Sequence, residues 1–206
     1  SPAITINSNA SSTTSTSVTL NLSASDGVGV TAYYASETNS TPSSSSGGWT
    51  TVTSAASYSA NVSFTLSAGE ATKTVYVWFK DAAGNVSASA NDSISSDGTA
   101  PTSPAITINS NASSTTSTSV TLNLSASDGI GVTAYYASET NSTPSSSSGG
   151  WTTVTSAASY SANVSFTLSS GDATKTVYVW FKDAAGNVSA SANDSIILIH
   201  LFDSIQ

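Results

Sequence analysis

Cysteine and methionine are absent from the 206 residues, and histidine occurs once. Without cysteine the chain can form no disulfide and no thiolate metal site, whatever compartment it occupies. Charged residues make up only 8 %, and 12 Asp plus Glu against 4 Lys plus Arg give a net charge of −8. Binding to a phosphate backbone needs clustered Lys and Arg. The composition therefore predicts no nucleic-acid partner.

Long apolar runs are also missing from the sequence. No stretch approaches the roughly 20 apolar residues that a helix needs to cross a bilayer, so we expect no membrane-spanning segment. The chain begins at Ser1 with neither an initiator methionine nor a signal peptide. We interpret it as a processed product or an excerpt from a longer array.

A catalytic site is not expected either. A nucleophilic serine needs a base, usually histidine, held by a third group within hydrogen-bond reach. His200 is the single candidate, and it lies in a C-terminal tail that has no equivalent earlier in the chain. No two carboxylates are placed for glycoside hydrolysis by the sequence pattern. The prediction is a protein that is not an enzyme.

The chain is an internal duplication. Residues 1–94 and 103–196 are related by a shift of 102 and differ at three positions, Val28/Ile130, Ala68/Ser170 and Glu70/Asp172. Each copy is long enough for its own modest core. We predict one domain over residues 1–96, a linker over 97–102, a second domain over 103–198, and a divergent apolar tail over 199–206.

Alternation of apolar and polar residues predicts strands and no helices. Val18, Leu20 and Leu22 are expected to point inward, and of the adjacent Tyr33 and Tyr34 one must be core and the other surface. Asp92 shares its parity with apolar neighbours, so a bulge in the last strand is expected. The predicted strands of the first copy cover residues 3–7, 17–24, 30–36, 49–53, 58–66, 74–80 and 86–94. Seven short strands indicate a two-sheet antiparallel sandwich.

One stretch organises each copy, and it carries a resemblance to a known family. The run TVYVWFKDAAGNVS at 74–87 returns unchanged at 176–189, and it joins a strand to a tight acidic turn. Together with the strand 18–22, the turn Ser25-Asp26-Gly27 and the linker 97–101, it resembles the bacterial and archaeal immunoglobulin-like repeats of large surface proteins and adhesins. The resemblance covers nearly the whole chain. It implies an all-β protein of two tandem seven-stranded antiparallel immunoglobulin-like sandwiches, located outside the cell or on its surface.

Acidic turns suggest a metal site. Because antiparallel strands alternate in direction, Asp128, Asp183 and Asn187 share one pole of the second domain, and the linker bears Asp97. Carboxylate and amide oxygens are the ligands that Ca²⁺ takes, and repeats in the resembled family often carry calcium at domain junctions. The alternative is that turns simply favour these residues. Calcium is the predicted cofactor, and chelation is expected to loosen the angle between domains without unfolding them. A weaker site is predicted at Asp26, Asp81 and Asn85.

An aromatic strip suggests a second kind of partner. Tyr76, Trp78 and Lys80 alternate with the apolar residues of their strand, and Trp180 repeats the case in the second copy. The strip predicts either a shallow site for surface glycans or ordinary cross-strand packing that protects a sheet face. The packing interpretation is favoured.

Asparagine occurs almost entirely in glycosylation sequons. Of 14 asparagines, 12 lie in Asn-X-Ser/Thr, which in a glycosylating host would carry sugars and elsewhere would be polar surface. The sequon asparagines are Asn9, Asn21, Asn39, Asn61, Asn85, Asn91, Asn111, Asn123, Asn141, Asn163, Asn187 and Asn193.

These features predict a rigid spacer in a surface adhesin or stalk, with like domains or copies of itself as partners. The alternative is a subunit of a self-assembling extracellular filament, joined through the apolar C-terminal strand. A carbohydrate-binding accessory module is the third hypothesis. The candidate assembly strand consists of Ile196, Ile197, Leu198, Ile199, Leu201 and Phe202.

Overall fold

The computed structural model describes residues 1–199, and it divides into two compact units, the first Ser1–Gly98 and the second beginning at Thr99. The described part of the chain contains strands and no helix. In the first unit the strands are β1 (Ala3–Ile6), β2 (Ser12–Thr13), β3 (Ser17–Ser36), β4 (Thr50–Thr65), β5 (Ala71–Asp81) and β6 (Ala90–Ser96). In the second they are β7 (Thr102–Ile108), β8 (Ser114–Thr115), β9 (Ser119–Ser138), β10 (Thr152–Thr167), β11 (Ala173–Asp183) and β12 (Ala192–Leu198).

The two long strands of the first unit contribute to both layers of a sandwich. Residues 17–25 of β3 pair with β1 and with residues 57–65 of β4. Residues 30–36 of β3 pair with β5, and a register shift separates Ser25 from Val30. β5 continues to β6, which pairs with β2. Two of the predicted short strands are therefore merged in β3, and two more in β4.

The core lies between these layers, and the period-two alternation builds it. Val18, Leu20 and Leu22 are buried from one layer, and Val75 and Val77 from the other. Alternate side chains of a strand point to opposite faces, so each row presents its apolar side inward. The expectation of an all-β sandwich in each copy is confirmed.

The adjacent tyrosines divide between core and surface as the pleat requires. The ring of Tyr33 stacks on Tyr58 with a centroid separation of 6.4 Å, inside the sandwich. Tyr34 points the other way and meets Trp49 edge-on at 5.7 Å. Partial burial raises the pKa of the Tyr58 hydroxyl, with a smaller contribution from Tyr33.

The expected bulge at Asp92 is wrong. β6 keeps an unbroken antiparallel register with β5 from Ala90 to Ser96, so Asp92 does face inward. Its Oδ2 accepts a hydrogen bond of 2.7 Å from the backbone N–H of Ile6 in the other layer. The carboxylate satisfies a donor that β1 could not otherwise pair, and Asp194 does the same for Ile108 at 2.7 Å.

The second unit repeats the first, with one addition at its start. β7 begins earlier than β1, because Thr102 also pairs with Ser127 before the register shifts at Ala105. All the positions that differ between residues 1–94 and 103–196 have exposed side chains. The two cores are therefore built from the same residues over that range.

Candidate functional site

The candidate metal ligands of the first unit lie in the turns that follow residue 25 of β3 and the end of β5. Asp26 Oδ1 accepts hydrogen bonds from the N–H groups of Val28 and Gly29, at 2.8 and 2.9 Å. Asp81 Oδ1 accepts from the N–H of Asn85 at 2.9 Å, and Oδ2 accepts from Asn85 Nδ2 at 2.7 Å. These bonds, the side-chain one most of all, hold the pKa of the Asp81 carboxyl below its usual value.

A small cavity of about 140 Å³ opens between these turns. Asp26, Asp81 and Asn85 all line it, over a floor that includes Val30 and Phe79. The structure therefore places the three candidate residues of the first unit around one space. Both carboxylates are already bonded by their own turns, which is the structural role that the sequence offered as the alternative.

The corresponding turns of the second unit are more deeply buried. Asp128 Oδ1 accepts from Ile130 and Gly131 at 2.9 and 2.6 Å. Asp183 Oδ1 accepts from Gly186 and Asn187 at 2.7 and 2.9 Å. Asp128 and Asp183 are both buried, and each offers a carboxylate oxygen within 4.8 Å of the other. Their counterparts in the first unit are only half-buried.

The other two residues predicted as ligands are Asn187 and Asp97. Asn187 Nδ2 donates to Asp183 Oδ2 at 2.7 Å, which holds the amide beside the carboxylate pair. Asp97 belongs to the first unit, directly after β6, where its N–H donates to the carbonyl of Thr13 at 2.9 Å. Its role as a ligand stays a prediction.

The aromatic strip is covered, which corrects its interpretation as a sugar-binding surface. Trp78 is fully buried, with 0 % of its side chain exposed. The rings of Tyr34 and Tyr76 lie 6.0 and 6.2 Å from it, and Trp49 packs on Tyr34. The packing interpretation is the one this geometry supports, because no sugar can stack on a buried indole.

Trp49 is the residue that the sequence reasoning missed. The segment before it folds back over the sheet, and Trp49 Nε1 donates to the carbonyl of Ser43 at 2.9 Å. Lys80 Nζ donates to the carbonyl of Ser44 at 2.8 Å and lies 4.7 Å from the Trp49 ring centroid. Gly48 has φ +95, and a Cβ added there would lie 3.0 Å from the Tyr34 ring. The glycine pair before Trp49 was therefore the available signal.

The sequon asparagines fall into two groups. Asn21 Nδ2 donates to Asn61 Oδ1 at 2.8 Å, and Asn85 Nδ2 donates to Asp81, so both amide nitrogens are engaged. Asn123 and Asn187 repeat these bonds in the second unit. The exposed remainder consists of Asn9, Asn39, Asn61, Asn91, Asn111, Asn141, Asn163 and Asn193.

The candidate assembly strand is part of its own unit over the range described. Ile196, Ile197 and Leu198 belong to β12, which pairs with β11 on one side and with β8 on the other. Ile196 and Leu198 are buried, whereas Ile197 and Ile199 are 46 % and 42 % exposed. His200, Leu201 and Phe202 lie outside the described residues. This arrangement corresponds to a last strand that is extended within its own domain.

Comparison with known proteins finds structural neighbours of low sequence identity. The sequence matches no protein-family model and no curated protein. Fibronectin(III)-like modules of Clostridium thermocellum CbhA are similar with a TM-score of 0.49 and 11 % identity, covering 98 % of this chain and 98 % of that chain. The human OSCAR ligand-binding domain is similar with a TM-score of 0.40 and 10 % identity, covering 96 % and 97 %.

The chain is an all-β protein of two tandem sandwiches, and its structural neighbours are fibronectin(III)-like and immunoglobulin-like domains. At these scores the likeness transfers no residue role. In the described part of the chain there is also no helix of the length and apolarity that a membrane crossing requires.

Proposed function

We propose that this chain is a non-enzymatic structural module of an extracellular or cell-surface protein, in which each unit acts as a rigid spacer. The observation that carries the proposal is where the two copies differ. Substitutions between residues 1–94 and 103–196 fall on exposed side chains, and the buried rows are identical. A spacer needs a repeated stable body, whereas a surface that reads a ligand has no need of exact copies.

The spacer proposal is tested by changing the number of units. Chains of two, four and six units, joined by the natural 97–102 segment, should give end-to-end lengths that rise in proportion to unit number. Single-molecule imaging or fluorescence energy transfer between terminal dyes measures this length. A length that saturates at four units would contradict a spacer role.

We further propose that Asp128, Asp183 and Asn187 hold a calcium ion. The support is a pair of buried carboxylates with oxygens within 4.8 Å of each other and an amide fixed beside them. Like charges this close repel, and a divalent cation with oxygen ligands relieves that repulsion.

Calcium binding is measured by elemental analysis after dialysis and by calorimetric titration. Asp128→Asn with Asp183→Asn should abolish binding, whereas the exposed Asp172→Asn, which also removes a carboxylate from the second unit, should leave it unchanged. At ten times its dissociation constant, calcium should add about 1.4 kcal/mol to the free energy of unfolding. No calcium in the unmodified chain at neutral pH would rule the site out.

Glycosylation is proposed for the sequons other than those whose amide nitrogen is engaged in a hydrogen bond of the fold. Attachment needs an accessible amide nitrogen, so Asn21 and Asn85 should stay unmodified while Asn9, Asn39 and Asn91 are available. Peptide mapping of native material by mass spectrometry locates any sugar. An intact mass equal to that of the polypeptide would remove this proposal.

A further inference from the structure

β4 is an unusually unprotected sheet edge. Among the described residues its pairing is with β3 alone, which leaves its second side without a strand. It runs for 16 residues from Thr50 to Thr65 and contains no charged residue, no proline and no glycine. Its register against β3 is irregular before Ser57, but the segment Ser57–Thr65 is unbroken. Proteins normally blunt such edges with lysine, proline, bulges or short strands, because a free edge is a template for another chain.

The opposite edge of the same layer shows the usual protection. β1 is four residues long and is preceded by Pro2, which has no N–H to offer. One edge strand of this layer is protected and the other is not. The low content of charged residues in the whole chain therefore does not by itself explain the unprotected edge of β4. The strand β10, Thr152–Thr167, has the same sequence and likewise pairs with β9 alone in the described chain.

The apolar row of β4 is also incompletely covered. Tyr58, Ala60, Val62 and Phe64 face the core but are only half-buried, whereas Leu20 and Leu22 in the neighbouring β3 are almost fully buried. Another strand beside β4 would cover the exposed flank of this row. That is a gain in buried apolar area, in addition to the backbone hydrogen bonds.

We propose that β4 pairs antiparallel with β4 or β10 of a second copy of this chain, and extends the layer across the two molecules. The segment Ser57–Thr65 pairs with β3 without a register shift, and its midpoint is Asn61. A two-fold axis at Asn61 pairs all nine residues of this segment. It sets Asn61 opposite Asn61 and apolar positions opposite apolar positions, which the period of two requires.

The side chains of this register match. The outward row is small and uncharged, so the −8 charge of each molecule puts no like charges face to face here. A row of side-chain hydrogen bonds already runs across the layer. Thr5 Oγ1 donates to Asn21 Oδ1 at 3.1 Å, and Asn21 Nδ2 donates to Asn61 Oδ1 at 2.8 Å. Two Asn61 side chains facing each other would continue that row of hydrogen bonds into the second copy.

The absence of cysteine makes the register directly testable. Asn61→Cys with Asn163→Cys brings the paired Cα atoms to about 4.5 to 5.5 Å, within the range of a disulfide. Ser57→Cys with Ser159→Cys is the matched control, since each Ser57 would lie about 27 Å from its equivalent. Under mild oxidation the first variant should give covalent dimers at least about tenfold faster than the second. Equal rates would overturn the proposal.

A second pair of variants removes the pairing itself. Asn61→Lys with Asn163→Lys puts like charges opposite each other at the axis, and Asn91→Lys with Asn193→Lys adds the same charge on exposed β6 and β12 positions. Sedimentation should show dimers and larger species for the unmodified chain and for the β6 variant, and monomers for the β4 variant. A monomer at about 1 mM for the unmodified chain, or association unchanged in the β4 variant, would refute edge pairing. Either result leaves the spacer proposal intact.

Discussion

Asp92 shows how one polar side chain can fix the relation between two layers. Its carboxylate reaches across the sandwich edge to the N–H of Ile6, and Asp194 repeats the contact with Ile108. A buried N–H that loses its acceptor costs the desolvation of that group, about 1 to 3 kcal/mol. The residue that the sequence pattern marked as out of step is thus a tie between β6 and β1.

Removing this tie should destabilise each unit. Asp92→Ala with Asp194→Ala is expected to lower the free energy of unfolding by about 1 to 3 kcal/mol per unit. Asp92→Asn with Asp194→Asn retains an acceptor oxygen and should cost less. Urea unfolding followed by tryptophan fluorescence measures both, with the exposed Asn91→Ala and Asn193→Ala as controls. Equal stability of the alanine and asparagine variants would contradict this role.

Asp81 gives the first unit a dependence on pH. Its hydrogen bonds from Asn85 lower the pKa of the carboxyl in the folded state. Folding therefore favours the ionised carboxylate. Its contribution to the free energy of unfolding is present above the pKa of the unfolded state and is lost as pH falls through the pKa of the folded state. Asp81→Asn should reduce the stability lost on acidification from about pH 5 to pH 2. Unfolding curves over that range test it, and an unchanged pH profile would disprove the expectation.

The burial of individual side chains was predicted correctly where it depends on the alternation within a single strand. The inward positions of Val18, Leu20 and Leu22 follow from alternation alone. The burial of Trp78 did not follow, because it depends on Trp49 and on a loop that folds back from 36 residues away to meet Lys80. Contacts between distant segments leave no local pattern in the sequence.

At the scale of the element, the turn at residues 26–29 lets β3 pass from one layer to the other. Gly29 has φ +114, and a Cβ there would lie 2.5 Å from Ser54 Oγ. A Cβ added at Gly27, two residues earlier, would have no other atom within 4 Å. Only one of the two glycines is therefore required by the fold.

These glycines form a matched pair for mutation. Gly29→Ala should lower the free energy of unfolding by more than about 1 kcal/mol. Alanine disfavours the positive φ of this position, and its Cβ would lie too close to Ser54 Oγ. Gly27→Ala should be nearly neutral. Thermal unfolding of the two variants compares them directly. A loss of stability in Gly27→Ala as large as in Gly29→Ala would show that the turn, and not the crossing at Gly29, is sensitive.

The merging of short strands could not be predicted from turn residues. Asp26-Gly27 has the composition of a chain reversal, yet the backbone pairs with β4 and β5 again after it, and one strand runs from Ser17 to Ser36. Whether such a turn ends a strand or bends it depends on partners supplied by other parts of the chain.

The free edge of β4 and the sequon at Asn61 are alternatives for the same surface. A sugar on Asn61 would occupy the axis at which we propose that two copies pair. Material that carries sugar there should be monomeric, and unglycosylated material should associate. Glycosylation would then act as the edge protection that the strand sequence lacks.

For the whole molecule, the two units differ most at the end of their last strands. Leu198 is buried in β12 where the first unit has Ser96 in β6. Burying a leucine side chain stabilises by about 1.5 to 3 kcal/mol relative to leaving it exposed. The apolar tail that suggested assembly between molecules therefore contributes, up to Leu198, to its own core.

This difference predicts that the second unit is the more stable one. Residues 1–98 and 99–206, prepared separately, should both fold, with the second unfolding at the higher urea concentration. Leu198→Ser should bring its midpoint close to that of the first unit, and the exposed Ile197→Ser should change it much less. A first unit as stable as the second would show that Leu198 adds nothing.

The pairing of β2 with β6 determines how a unit responds to a stretching force. These two strands are parallel, and Ser95 and Asp97 donate to the carbonyls of Ser11 and Thr13 at 3.1 and 2.9 Å. When the chain is pulled from both ends and β1 has detached, tension draws β2 and β6 past each other, so these bonds are loaded in shear and must break together. An antiparallel pair pulled from one end would open one bond at a time. We therefore expect a strand of two residues to limit the mechanical strength of a body of about a hundred.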